Sequence, residues 1–166
     1  MLSVSSQEHG EFLVLNEMQL RYNTEMPLRM GAYAALAEEK YKKPVYPVLI
    51  NILEPSTPTE IVNCYESEFL NLRAYQDYRV INLWEIEAQT VFQQPLPSLL
   101  PFVPILKGGG EEATVRQALQ LLREDEQLLE LENLLAFFAT FVLTYSRRCP
   151  YGTTRDSSVW ETLTAV

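Results

Sequence analysis

Apolar runs and polar punctuation along the first part of the chain predict strands around one long helix. Leu2 and Val4 alternate with serines, which indicates a short strand over residues 1–6. Residues 7–10 are polar and end in glycine, as turns do. Residues 12–20 begin with a continuous apolar run, the pattern of a buried strand. The chain is therefore predicted to begin as a β-hairpin.

A helix and a second buried strand are predicted to follow this hairpin. Thr24 is the expected N-cap, Glu25 lies in the first turn, and Pro44 ends the helix near residue 42. The apolar side of this helix is made of Leu28, Ala32, Ala35 and Leu36. The next apolar run is Val45–Leu53. Because a strand, a helix and a strand form a crossover unit, the two buried strands are predicted to be parallel.

The remaining elements are predicted to be shorter until a helical pair near the end of the chain. They are strands over 61–69 and 78–85 joined by a polar segment over 71–77, helical turns over 88–94, a packed proline-rich segment over 95–104, and helices over 111–124 and 128–145. The sequence thus predicts an α/β (α+β) fold. Residues 1–148 are expected to form a single domain, and residues 149–166 a flexible tail.

Charge and cysteine content narrow the classes of function. The net charge of −9 argues against strong non-specific binding to nucleic acid, although a local basic groove or a bridging metal ion still permits a DNA partner. Cys64 and Cys149 are too far apart to suggest a disulfide framework or a zinc cluster, so a reduced, cytoplasmic setting is expected. The apolar segment 134–145 is shorter than the roughly 20 residues of a spanning helix, so no membrane association is predicted.

The sequence lacks the motifs of several common catalytic chemistries, which leaves catalysis by carboxylates. His9 is the only histidine and lies in the predicted turn, with no nucleophile arranged around it. The glycine run at residues 108–110 lacks the Gly-Lys-Ser/Thr ending of a phosphate-binding loop. Zinc-ligand spacings and a dinucleotide fingerprint are also absent.

Glu17 and Gln19 are the polar residues that most require an explanation. Side chains alternate along a strand, so both project from the same face as the core residues before them. Arg29 and Tyr33 are four residues apart and are neighbours on the following helix. Two interpretations remain open. Either the strand simply emerges into solvent beside an ordinary helix flank, or Glu17 binds Mg²⁺ while Gln19 orients water or phosphate, within reach of the two helix residues.

The order of motifs resembles that of Rpn-type nuclease and transposase-related proteins of the PD-(D/E)XK superfamily, the cyanobacterial members most of all. The resemblance covers roughly residues 10 to 145 and is carried by Asn16-Glu17-Met18-Gln19, Met26-Pro27-Leu28-Arg29-Met30 with Tyr33, Pro47-Val48-Leu49-Ile50, Tyr78-Arg79-Val80-Ile81-Asn82-Leu83-Trp84-Glu85, Leu99-Leu100-Pro101-Phe102 and Ile105-Leu106-Lys107-Gly108-Gly109. It implies a restriction-endonuclease-like fold, with a mixed central sheet flanked by helices, and Mg²⁺-dependent cleavage of DNA.

Carried over residue by residue, Glu17 matches the acidic metal ligand and Gln19 stands at the position usually held by a catalytic lysine. The first acid of the family, an aspartate on the preceding strand, has no match in residues 1–6, so an N-terminal truncation is one expectation. A homodimer is another, because double-strand cutters of the superfamily often pair. Two functions therefore remain open: a metal-dependent endonuclease, or a catalytically inactive scaffold of the same fold.

Overall fold

Strands dominate the first part of the chain in the computed structural model, which describes residues 1–94, 96–124 and 126–148. The elements there are β1 (Leu2–Ser6), β2 (Gly10–Arg21), α1 (Met26–Tyr41), β3 (Val45–Leu53), β4 (Cys64–Phe69), β5 (Leu72–Asp77) and β6 (Arg79–Asn82). Four of the strands form a sheet in the order β1-β2-β3-β6. The mixed α+β class is confirmed.

The sheet is antiparallel on one side and parallel on the other. β1 pairs antiparallel with β2, and a glycine with φ +70° at position 10 begins the return strand. β3 pairs parallel with both β2 and β6. The helix α1 connects the two parallel strands β2 and β3. The predicted opening hairpin and the predicted parallel crossover are therefore both confirmed.

One face of this sheet packs against α1. Register places Glu17 beside Leu49 and Gln19 beside Asn51, so these side chains share a face. Leu49 belongs to a buried cluster with aromatic and methionine side chains from the helix and from the segments that flank it, namely Tyr22, Met26, Met30 and Tyr78. Burial of these large side chains fixes the position of the helix over the sheet.

The buried face of α1 differs from the predicted one. Leu28 and Leu36 are 58% and 64% exposed, and Ala32 and Ala35 are exposed as well. The buried positions are Met26, Met30, Ala34 and Ala37. The helix carries two apolar stripes, and the one that reaches the core contains the long methionine side chains. The first turn also differs from the prediction: Glu25, not Thr24, is the N-cap residue, and the Asn23 side chain accepts the Glu25 N–H at 2.9 Å.

Strands β4 and β5 form a separate two-stranded antiparallel sheet. The predicted strand 61–69 is shortened to β4, and the predicted polar connection 71–77 is wrong, because most of it is β5. Leu70 and Asn71 both have positive φ and form the turn between the two strands. The predicted strand 78–85 ends early, since β6 gives way to a 3₁₀ turn at Leu83–Glu85.

Helices dominate the rest of the chain. They are α2 (Gln89–Gln93), α3 (Glu112–Glu124) and α4 (Glu132–Arg148), with 3₁₀ segments at Pro97–Ile105 and Glu126–Leu131. The proline-rich 3₁₀ segment contributes Leu100, Val103 and Ile105 to the core, as its predicted packing implies. The helical pair is confirmed, with its second helix beginning at Glu132 after a 3₁₀ turn. The predicted tail, 149–166, lies outside the described residues.

The chain divides into two compact units, Met1–Asn82 and a second unit that begins at Leu83. The strands and α1 lie in the first unit, and the helices from α2 onward lie in the second. No helix in the described part of the chain is both long enough and apolar enough to cross a membrane.

Candidate functional site

Glu17 and Gln19 lie in the second half of β2, where apolar residues give way to polar ones on the face that packs against α1. Both side chains are half-buried. The Gln19 Nε2 donates a hydrogen bond of 2.9 Å to the Glu17 Oε1. The alternation that predicted a shared face is therefore borne out by a direct contact, and the amide holds the carboxylate in one orientation.

Arg29 brings a positive charge to the same carboxylate. Its Nη2 donates to the Glu17 Oε1 at 2.7 Å, and the two side chains are 37% and 21% exposed. Glu17 Oε1 thus accepts two hydrogen bonds, while its Oε2 accepts none from the residues that the structure describes. Because Arg29 lies in the first turns of α1, the crossover helix itself places the guanidinium over the strand.

Tyr33 joins this cluster through Arg29. The guanidinium donates to the Tyr33 hydroxyl at 3.4 Å and lies 5.6 Å from the ring centroid, within the range of a cation–π contact. The hydrogen bond to Tyr33, followed by the electrostatic effects of Tyr33, Glu17 and Glu25, raises the pKa of Arg29. The arginine therefore stays protonated, and all four predicted residues lie in one connected group.

Asn51 is a polar residue of this face that the sequence interpretation missed. It lies opposite Gln19 in the register and is completely buried. Its Nδ2 donates to the Asn82 Oδ1 at 2.9 Å, but its own Oδ1 has no partner among the described residues. A buried, unsatisfied carbonyl oxygen costs about 1–3 kcal/mol, so its retention needs a cause. The signal in the sequence was a lone asparagine within the apolar run Val45–Leu53.

The oxygen atoms of this group suit a hard cation. Mg²⁺ takes oxygen ligands and is commonly held by one or two carboxylates together with substrate phosphates. Glu17 supplies one carboxylate, and the amide oxygens of Gln19 and Asn51 lie on the same face of the sheet. The described residues contain no group of three or more acidic, histidine or cysteine side chains that would hold a metal. With one carboxylate, a cation at this place would also need the oxygens of a substrate phosphate.

No acid faces Glu17 from β1. The register pairs Leu2 with Val14, and one step per residue places Met1 beside Leu15, so the described part of β1 stops short of Glu17. Glu11 lies at the other end of β2, where it forms an ion pair of 2.8 Å with Lys43. Glu8 is in the turn beside His9. Neither of these two acids belongs to the cluster around Glu17.

No protein-family model, curated protein or solved structure matches this chain. The resemblance to the nuclease superfamily therefore rests on the motifs in the sequence and stays a prediction. The clustering of Glu17, Gln19, Arg29 and Tyr33 is a geometric finding that holds independently of it.

Proposed function

We propose that the chain is a nuclease-like protein of the restriction-endonuclease type, with a Mg²⁺-dependent phosphodiesterase site centred on Glu17. The substrate of this proposal is DNA, and the setting is the cytoplasm. The order of hairpin, crossover helix and parallel strand supports the proposal, because it brings a carboxylate on β2 next to an arginine on α1. A scattered set of polar residues would not be expected to converge in this way.

Each side chain has a distinct role in this proposal. Glu17 would hold the cation, and the Gln19 amide, which already contacts the Glu17 carboxylate, would orient water bound to the ion. Arg29 contacts a phosphate oxygen, a task for which its planar, multiply donating guanidinium is well suited. Tyr33 stacks against that guanidinium and limits its movement. When bound, the cation would lower the pKa of a water and offset the charge on the transferring phosphate.

The observation that carries the proposal is the shared Glu17 Oε1, which accepts from Gln19 and Arg29. The same face holds the Asn51 Oδ1, which has no partner in the described part of the chain. A purely structural ion pair at the end of a strand would explain why Glu17 and Arg29 lie together. It would not explain why the neighbouring strand holds the completely buried side chain of Asn51.

The test compares two acids on the same strand. Glu17→Gln and Glu11→Gln each remove one carboxylate that forms an ion pair with a basic side chain, Arg29 for Glu17 and Lys43 for Glu11. We expect Glu17→Gln to lower Mg²⁺- or Mn²⁺-dependent nicking of supercoiled plasmid by at least about 100-fold, roughly 2.7 kcal/mol of activation free energy. Glu11→Gln should leave nicking unchanged. Binding of Mn²⁺, measured by electron paramagnetic resonance with and without a short DNA duplex, should be lost in the Glu17 variant only.

Two outcomes would contradict the proposal. Nicking that persists in Glu17→Gln would show that the activity lies elsewhere or in a contaminant. Absence of both nicking and Mn²⁺ binding in the unaltered chain would remove the enzymatic assignment altogether.

A second candidate is a catalytically inactive scaffold of the same fold. The observation that favours it is that Glu17 is the only carboxylate of its cluster and is already neutralised by Arg29. In that case the ion pair serves stability alone. Glu17→Gln would then lower the thermal midpoint of a protein that neither binds Mn²⁺ nor cleaves DNA.

A further inference from the structure

The hairpin of β4 and β5 has two unpaired edges. It forms a sheet of its own, and no further strand of the described residues joins it. Most of its side chains are exposed, including Tyr75 at 61%. Isolated two-stranded hairpins are only marginally stable in water, and open edges are templates for pairing with another chain. The question is which edge is suited to a partner.

The pairing pattern fixes which backbone groups point outward. A two-residue turn makes its flanking residues a hydrogen-bonded pair, here Phe69 and Leu72. Hydrogen bonding then recurs at every second pair, and the bond of 2.9 Å from the Tyr78 N–H to the Asn63 carbonyl obeys the same alternation. Along β5 the N–H and C=O groups of Arg73, Tyr75 and Asp77 therefore point away from β4.

We propose that β5 pairs antiparallel with β5 of a second copy of this chain, with the twofold axis at Tyr75. Each copy then places Arg73 opposite Asp77 of the other, so that two pairs of opposite charge flank a central tyrosine pair. Both kinds of cross-strand pair are stabilising. Registers centred on Arg73 or on Asp77 place like charges opposite each other and shorten the overlap, and registers centred on Ala74 or Gln76 lose both pairs of opposite charge. The register centred on Tyr75 is therefore the one that the charges select.

The other edge of the hairpin is poorly suited to the same contact. Along β4 the outward-pointing groups belong to Cys64, Glu66 and Glu68, the positions that alternate with the hydrogen-bonded ones. Two copies of β4 paired about Glu66 would place acids directly opposite each other, which is destabilising. Charges of one sign are a common means of keeping an edge strand unpaired. The hairpin thus has one protected edge and one self-complementary edge.

Contacts within each copy are compatible with this pairing. Arg73 Nε donates to Glu68 at 2.9 Å and its Nη2 lies 3.9 Å from Glu66, and the guanidinium keeps further donors for a carboxylate of the other copy. The Asp77 carbonyl accepts a hydrogen bond of 2.8 Å from the Gln76 side chain and keeps a second lone pair for the other copy. The Tyr75 hydroxyl donates to Asp77 at 2.7 Å, a bond that raises the pKa of Tyr75 to about 12 and keeps the hydroxyl protonated. The contact is short, so we expect a reversible dimer that depends on concentration. It does not rest on the proposed nuclease function.

Proline substitution distinguishes the two edges. Tyr75→Pro removes an N–H that points outward, so it should disrupt pairing between copies and leave the β4–β5 ladder intact. Glu66→Pro makes the same change on the protected edge and is the matched control. Sedimentation equilibrium of the full chain should show a dimer for the unaltered protein and for Glu66→Pro, and at least tenfold weaker association for Tyr75→Pro. Circular dichroism at low concentration reports whether each variant is folded.

Charge exchange tests the register without altering the backbone. Arg73→Asp and Asp77→Arg should each weaken the dimer at least tenfold, because each places like charges opposite each other. The double variant should restore it. The proposal is overturned by an unaltered chain that stays monomeric up to roughly 1 mM, or by a double variant as weakly associated as the singles. A dimer insensitive to every β5 change would overturn it as well.

Discussion

The four-stranded sheet and the two-stranded hairpin lie in the same unit of the chain and differ in how they are held. In the sheet, the central strand β3 is covered, with Val48, Leu49 and Leu53 all buried. In the hairpin, Phe69 and Leu72 are both 75% exposed. Burial therefore defines the sheet, whereas local turn geometry and a few contacts with α1 define the hairpin.

This difference decides which residues are informative about function. Inside the sheet an apolar residue is expected, so the buried Asn51 is the exception. On the hairpin a polar surface is expected, so exposed apolar side chains and an open edge that carries charges of both signs are the exceptions. The two proposals follow from these exceptions: a ligand site where a polar group is buried, and a contact surface where an edge is left open.

The largest expected effect distinguishes the two regions by stability. Leu49→Ala removes a completely buried side chain from the cluster with Met26 and Met30, and should lower the free energy of unfolding by about 3 kcal/mol. Leu72→Ala makes the same truncation on the hairpin and should stay within about 0.5 kcal/mol. Urea denaturation followed by circular dichroism measures both. Equal losses of unfolding free energy in the two variants would contradict the view that the sheet is held by burial and the hairpin is not.

Much of the sheet follows from its sequence because burial leaves a strong pattern. The apolar run Val45–Leu53 predicted β3 with its observed bounds. Strict alternation on β2 predicted that Glu17 and Gln19 share a face, and the contact between them confirms it. The reach of Arg29 to this pair was one of two interpretations left open, and the structure places Arg29 in contact with Glu17. Only the shared face depends on periodicity alone. Asn51 was missed because its place in the run does not show that its side chain is completely buried, or that its Oδ1 lacks a partner among the described residues.

Strand β4 lies within the predicted strand 61–69, but β5 was missed because neither its own sequence nor its turn gives a strong signal. β5 is polar and exposed, so neither hydrophobic alternation nor a buried run marks it as a strand. Its turn consists of Leu70 and Asn71, where a glycine would have been the usual signal. The buried face of α1 was predicted wrongly for a related reason. Leu28 and Met30 are both apolar, and only the packed structure shows which of them lies in the core.

An intermediate effect is expected where the hairpin contacts α1. Gly31 lies under the ring of Tyr65, and a β-carbon built at position 31 would lie 3.0 Å from the Tyr65 Cδ1. Alanine should gain about 1 kcal/mol from helix propensity, but the ring must retreat to make room. We therefore expect Gly31→Ala to give no gain in the unaltered chain and about 1 kcal/mol in a Tyr65→Ala background.

A double-mutant cycle of unfolding free energies measures this coupling. A similar gain from Gly31→Ala in both backgrounds would show that the hairpin does not pack tightly against the helix. A large loss in both would show that the glycine is needed for another reason, such as a contact of α1 other than Tyr65.

The smallest expected effect has the opposite sign and concerns the tip of the hairpin. Leu70 has φ +49°, a left-handed conformation that is unfavourable for leucine and better tolerated by asparagine. Leu70→Asn should therefore stabilise the first unit, by about 1 kcal/mol at most. Leu72→Asn is the control, because Leu72 is almost as exposed as Leu70 and lies in an ordinary strand. Both are measured by urea denaturation at concentrations below those of any dimer.

If Leu70→Asn stabilises and Leu72→Asn does not, the leucine at position 70 is retained at a cost to folding. Such a cost would make the tip of the hairpin, together with the edge of β5, a candidate surface for contact with another molecule. If neither change stabilises, the turn relaxes without strain, and the hairpin is held by its ladder and by its contacts with α1.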